Sequence, residues 1–155
     1  MGGLTGLTSL LITASILVIG LVIGAALRSR DGTITVTSPD GGAAPAGNEL
    51  PEAARQAIDQ ERRVTLVQLS SPGCAPCQQA RTRLAAVAEH SPDVAHTVID
   101  ISEHPEVASA LSVLRTPTTV AYDTSGTEIL RIAGVPDADK LLGKLRPHLT
   151  PATEL

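Results

Sequence analysis

The sequence predicts an α/β domain whose mixed sheet is flanked by helices and preceded by one N-terminal transmembrane helix. Three observations predict it. Short runs of β-branched and leucine residues alternate with segments whose apolar residues recur at helical spacing. The last two such runs, 118–122 and 128–133, flank Asp123-Thr124-Ser125-Gly126, whose residues favour a turn. No charged side chain occurs from Met1 to Leu27.

That opening stretch comes first. Residues 4–27 as a helix, at about 1.5 Å per residue, reach roughly 36 Å, more than the about 30 Å of a hydrocarbon layer. A cleaved signal peptide is the competing reading. It wants a basic n-region, a shorter apolar run and a small-x-small cleavage site, whereas this n-region has no Lys or Arg and Ala25-Ala26-Leu27 is a poor site. A retained single-pass anchor in the cell membrane is therefore expected. Gly20 and Gly24 lie four apart, a small-xxx-small pattern compatible with helix pairing but common by chance in such a segment. Arg28 and Arg30, partly offset by Asp31, follow the span and only the α-amino group precedes it, so the positive-inside rule leans to the cytoplasmic face for the rest of the chain, the opposite topology being the alternative.

Residues 33–37 alternate with period two and read as a short strand. The Gly/Pro/Ala-rich residues 38–48 cannot bury a core and read as a linker. The expected organisation is anchor and flank over 1–30, flexible linker over 31–48, folded domain over 49–150 and a tail over 151–155. Within the domain, residues 50–61 carry Leu50, Ala53, Ala54, Ala57 and Ile58 at helical spacing. Residues 64–69 form a buried strand, broken by Ser70-Ser71-Pro72-Gly73. A helix over 77–89 presents Ala80, Leu84, Val87 and Ala88 on one face and ends at Ser91-Pro92. A second strand spans 94–101, and a helix over 104–114 places Val107, Leu111 and Leu114 together. Thr116-Pro117 breaks the pattern before the hairpin. A last helix over 137–149 turns Leu141, Leu142 and Leu145 inward, with Asp137 and Asp139 where the helix dipole favours negative charge.

Composition narrows the function. There is no Trp or Phe and one Tyr, Tyr122, so the core is aliphatic. A net charge of −4 without a basic cluster argues against a nucleic-acid partner. The two cysteines, Cys74 and Cys77, enclose Ala75-Pro76, and any disulfide within one chain must join them. A disulfide framework is excluded.

The arrangement resembles a thioredoxin-fold protein over residues 49–149. Cys74-Ala75-Pro76-Cys77 follows a buried strand and opens a helix. Thr116-Pro117 precedes the hairpin, where that family carries a cis-proline, and Gly134 precedes the last helix, as the family's glycine does. The chain departs from the pattern in places. Gly73 stands where the family usually has Trp, and Ala75-Pro76 replaces Gly-Pro. Gln68 stands where a buried Asp is usual, Val98 where its Lys partner is usual, and Asp100 takes the place of the Asp in the second strand.

The resemblance implies a membrane-tethered thiol–disulfide oxidoreductase that exchanges electrons with protein thiols and disulfides. It implies no metal or organic cofactor beyond the redox-active pair. Cys74 and Cys77 are the catalytic residues. Cys74 at a helix N-terminus has its thiolate favoured by unpaired N–H groups and the helix dipole, which lower its pKa, in thioredoxin to about 7 against about 8.5 for free cysteine. Cys77, one turn deeper, resolves the mixed disulfide. Thr116, Pro117 and Gly73 are expected to receive substrate, with Thr116–Pro117 cis and Gly73 leaving the sulfur open. Ala75, Pro76 and Gln68 are supporting: Pro76 fits the first helical turn without losing a bond, and Gln68 hydrogen-bonds but is no base near neutral pH. The alternative is a thioredoxin-fold adaptor, a partner-binding module with little turnover, motivated by the changed Trp, Asp and Lys positions. Cys74, Cys77, His90 and His96 have a zinc-finger-like spacing, but Ser91-Pro92 separates the two histidines and His96 falls in a strand. His104 and His148 read as surface residues. Arg81 and Arg83 read as a solvated helix face.

Overall fold

The computed structural model describes residues 3–28, 33–36 and 50–149. The chain divides into two units, Met1–Asp31 and Gly32–Leu155. The first is one helix, α1 (Gly3–Arg28). Its leucine, isoleucine and valine side chains between Leu11 and Ile23 are exposed, Leu21 at 75%. Among the described residues no helix is long and apolar enough to cross a membrane. The expected transmembrane helix is thus observed as a helix and not as a span.

The second unit holds β1 (Thr33–Val36), α2 (Glu52–Gln56), β2 (Val64–Ser70), α3 (Ala75–His90), β3 (Val94–Asp100), α4 (Pro105–Ala110), β4 (Thr118–Asp123), β5 (Glu128–Ala133) and α5 (Ala138–Leu149). The sheet order is β1-β5-β4-β2-β3. Strands β2 and β3 are parallel, joined by a crossover through α3, while β4 is antiparallel to both β2 and β5. The mixed sheet is as expected. The strand at 33–36 is not part of a linker, however. It pairs antiparallel with β5, Thr33 opposite Ala133 and Val36 opposite Leu130, and forms one edge of the sheet.

Two apolar layers cover the sheet. On one face Leu66, Ala121, Leu130 and Ile132 pack with Ala80, Leu84 and Val87 of α3 and Leu141 and Leu145 of α5. On the other face Val67, Leu69, Val120 and Tyr122 pack with Ala54, Ile58 and Val107. Strand β2 is buried on both faces, which is why it reads as a largely apolar run, with Thr65 and Gln68 its buried polar residues. Each fully buried Leu or Val contributes about 1.5–3 kcal/mol.

Two helices are shorter than their periodicity predicts. Helix α2 ends at Gln56, and Asp59 turns the chain by accepting from Glu61 N–H at 2.8 Å while its own N–H donates to Thr65 Oγ1 at 3.0 Å. Helix α4 ends at Ala110 in a Schellman motif. Val113 N–H donates to Ala108 O at 2.8 Å and Ser112 N–H to Ser109 O at 3.1 Å, with Ser112 at φ 51°. The reversal carries Leu114 out of the predicted core face, to 97% exposure.

Candidate functional site

Strand β2 delivers the chain to the site and Gly73 turns it. Gly73 has φ +71°, a left-handed conformation that side chains disfavour, and no atom lies within 4 Å of where a Cβ would sit. Cys74 then caps α3. Its Sγ accepts from Cys77 N–H at 3.2 Å, and its carbonyl accepts from Cys77 and Gln78 N–H. Ala75 and Pro76 occupy the first helical turn, where N–H groups have no intrahelical acceptor, so proline costs nothing there. Cys74 and Cys77 are joined by a disulfide, with S–S 2.03 Å and Cα atoms 5.2 Å apart.

The two sulfurs differ in access. Cys74 is half-buried, whereas Cys77 is 1% exposed. The Thr116 hydroxyl stands 3.9 Å from Cys74 Sγ and 3.0 Å from Ser71 Oγ. The Thr116–Pro117 peptide is cis. Pro117 is buried, and its carbonyl accepts from Gly134 N–H at 2.8 Å. Gly134, at φ +88°, thus ties the start of α5 to the Pro117 segment. Arg131 braces the same segment: its Nη1 donates to Leu111 O at 2.6 Å while Nε and Nη2 grip the Glu128 carboxylate at 2.9 and 2.7 Å. That pair, and then the Glu128 charge, hold the Arg131 guanidinium above its ordinary pKa despite partial burial.

Gln68 lies beneath Cys77. It is fully buried, and its Nε2 donates to the Cys77 carbonyl at 2.9 Å. Its Oε1 is 3.2 Å from His96 Nε2. Val98 pairs with Gln68 across β2 and β3, so no lysine faces it there. Burial, and then the Arg81 guanidinium, hold the His96 imidazole below its ordinary value. Asp100 sits at the end of β3 and accepts from Ser102 N–H at 2.9 Å and Ser102 Oγ at 2.6 Å, bonds that hold its carboxyl below the usual range.

Of the predicted site residues, the structure brings Cys74, Cys77, Gly73, Ala75, Pro76, Gln68, Thr116 and Pro117 to one end of the sheet. The zinc-like set does not assemble. His90 Nδ1 lies 2.7 Å from Ala86 O at the far end of α3, and among the described residues no three His, Cys, Asp or Glu side chains are grouped to hold a metal. His104 lies beside Glu106, and His148 is exposed near the end of α5. Arg83 is no free surface residue, since its Nη1 donates to Pro136 O at 2.8 Å. Sequence reasoning missed Ser71 and the contact of His96 with Gln68. The parallel register, which places Leu66 beside His96 and Gln68 beside Val98, is the signal that finds the second.

Comparison with known proteins agrees with this geometry. Residues 50–148 match the thioredoxin-like domain family. The chain belongs to that family. A curated relative, the SPbeta prophage-derived thioredoxin-like protein YosR of Bacillus subtilis (strain 168), is 30% identical over 83 residues, covering 52% of this chain and 98% of the relative. Among solved structures, a thioredoxin variant from Halobacterium salinarum NRC-1 is 27% identical with a TM-score of 0.53, covering 59% of this chain and 79% of that one. Thioredoxin NaTrxh from Nicotiana alata is 25% identical with a TM-score of 0.50, covering 62% and 78%. With its Cys-x-x-Cys pair at disulfide distance, this thioredoxin-like chain is a thiol–disulfide oxidoreductase.

Proposed function

We propose that the chain is a membrane-tethered oxidoreductase that exchanges electrons with cysteines of partner proteins at the cytoplasmic face. The observation that carries the redox part is the Cys74–Cys77 disulfide at the N-terminus of α3, with its outer sulfur beside the Thr116 hydroxyl. In the reducing direction the Cys74 thiolate attacks a partner disulfide, forming a mixed disulfide and releasing one partner thiolate. Cys77 then attacks Cys74 Sγ, closing the ring and releasing the second partner sulfur. The helix N-terminus and the Cys77 N–H favour the Cys74 thiolate. Thr116 presents backbone to an extended partner segment. Gly73, without a side chain, leaves the approach open beside a cleft of about 480 Å³ lined by Ser70, Pro72, Gln78 and Arg81.

The membrane part rests on the uncharged stretch from Met1 to Leu27 and on the exposed apolar surface of α1. The cytoplasmic orientation rests on Arg28 and Arg30.

The full chain in detergent, assayed for insulin reduction with dithiothreitol, tests the redox part. Turnover that disappears in Cys74→Ser supports it. An inert wild-type chain that still binds a membrane partner points instead to an adaptor. Alkaline extraction of membranes tests the tether, and release of the chain into the soluble fraction refutes it. Labelling of Cys74 by an impermeant thiol reagent in intact cells refutes the cytoplasmic orientation.

A further inference from the structure

The polar groups behind Cys77 are placed as a unit that the two-step exchange does not use. The Cys77 carbonyl can only accept, so the amide edge of Gln68 that meets it at 2.9 Å is the NH2 edge. The Gln68 oxygen therefore faces His96 Nε2 at 3.2 Å, and that nitrogen carries the proton. The tautomer is fixed: Nε2–H donates to Gln68, and Nδ1 is the atom that gains or loses charge. The chain of contacts runs from the carbonyl of the buried cysteine, through an uncharged amide, to a half-buried imidazole.

A third group borders this unit. Thr119 is directly opposite Gln68 in the β2–β4 register, on the same sheet face, and is fully buried. Its Oγ1 has no hydrogen-bond partner. An unpaired buried hydroxyl costs about 1–3 kcal/mol, so the layer beside Gln68 is incompletely satisfied.

We infer that reduction of the Cys74–Cys77 disulfide is coupled to protonation of His96, with Gln68 as the positioning residue that joins them. The inference rests on the redox reading above. A partner dithiol gives two electrons and two protons and becomes a disulfide. The S–S bond of Cys74–Cys77 breaks to one thiol and one thiolate. One proton stays on the thiol and the other goes to His96 Nδ1, forming an imidazolium. The positive ring, joined to the Cys77 backbone through Gln68, and the negative sulfur of the pair stabilise each other. The charged group facing His96 from α3 is Arg81. Strand β2 presents the uncharged Leu66 and Gln68 to it, and β3 is an edge strand with no further strand beyond. With the disulfide closed, burial and then Arg81 hold the ring below its ordinary pKa. The thiolate is the one new charge that reverses that balance.

The test is an NMR titration of the histidine rings in the full chain in detergent, once oxidised and once held reduced by dithiothreitol. The His96 signal is assigned by its loss in His96→Asn, and His90, His104 and His148 serve as internal references. The expected result is a His96 pKa about one unit higher in the reduced protein, with the references unmoved. By linkage, one unit is a tenfold change in the redox equilibrium, or about 30 mV for two electrons. The potential should therefore steepen with pH in the window between the two His96 values, and His96→Asn should remove the steepening. Gln68→Met should shrink the pKa difference while leaving the ring in place. An equal His96 pKa in a pair that cycles normally overturns the coupling alone. A pair that cannot be reduced and reoxidised overturns the redox reading as well.

Discussion

Cys74 and Cys77 are one helical turn apart, yet the walls around them are built from different materials. The outer wall presents two hydrogen-bond donors to a reachable sulfur, Cys77 N–H and the Thr116 hydroxyl, beside an open space over Gly73. It is held from behind by Gly134 and Arg131, both bonded to backbone carbonyls. The inner wall pairs the fully buried Gln68 with the half-buried His96 and contains no carboxylate. There Gln68 offers its amide to the Cys77 backbone and its oxygen to His96. The difference teaches that attack and resolution are supported separately. The outer sulfur is prepared by backbone geometry, whereas the inner one is backed by an uncharged amide, Gln68, that cannot itself remove its proton.

The sharpest way to break the comparison is to disable each sulfur in turn. Cys74→Ser should reduce insulin turnover to background. Cys77→Ser should still attack and should accumulate a mixed disulfide, visible by mass spectrometry. Equal accumulation in both variants would erase the distinction between the two sulfurs. The next largest effect concerns the inner wall. Gln68→Glu puts an ionisable carboxyl where burial disfavours its charge, so its pKa should lie above the usual carboxylate range. The rate of mixed-disulfide resolution should then acquire a new titration above the usual carboxylate range, and a pH–rate profile identical to wild type would show that this position does not govern the step.

The outer wall responds in stability. Arg131→Ala removes three hydrogen bonds at a half-buried site, one of them holding Leu111 just before the turn toward Thr116. A loss of about 1.5–3 kcal/mol is expected in urea unfolding, with a larger effect on substrate attack than on resolution. Gly73→Ala should be milder, about 1 kcal/mol, because the cost is the positive φ and not a clash.

The smallest effect is in pH. His96 in the oxidised fold sits below 6.5, its ordinary value. Between its folded value and about pH 6.5 the unfolded chain therefore binds more protons than the folded one. Stability should fall as the pH drops below about 6.5, and His96→Asn should flatten that slope in denaturant midpoints measured across the window.

Much of this was legible in the chain. Alternation of apolar runs located β2 to β5 and α3, and the Cys-Ala-Pro-Cys and Thr-Pro pairs marked the two sides of the outer sulfur. What escaped has physical reasons. The end of α4 was hidden because Ser112, and not glycine, takes the left-handed position of its Schellman motif. Leu114 kept helical spacing with Val107 and Leu111 although the chain had already reversed. The end of α2 depends on Asp59 and Thr65 meeting six residues apart, which no periodicity records. His96 read as a stray strand histidine because its partner comes from β2, and only the parallel register joins them.

The pairing of Thr33–Val36 with β5 carries a practical consequence. A fragment that starts at residue 49 would strip the sheet of its outermost strand and bare a row of N–H and C=O groups along β5. Such an uncapped margin recruits neighbouring molecules through backbone pairing. Any soluble version of this domain should therefore retain the short strand that precedes the proline-rich stretch. Without it, clumping could be mistaken for a loss of chemistry.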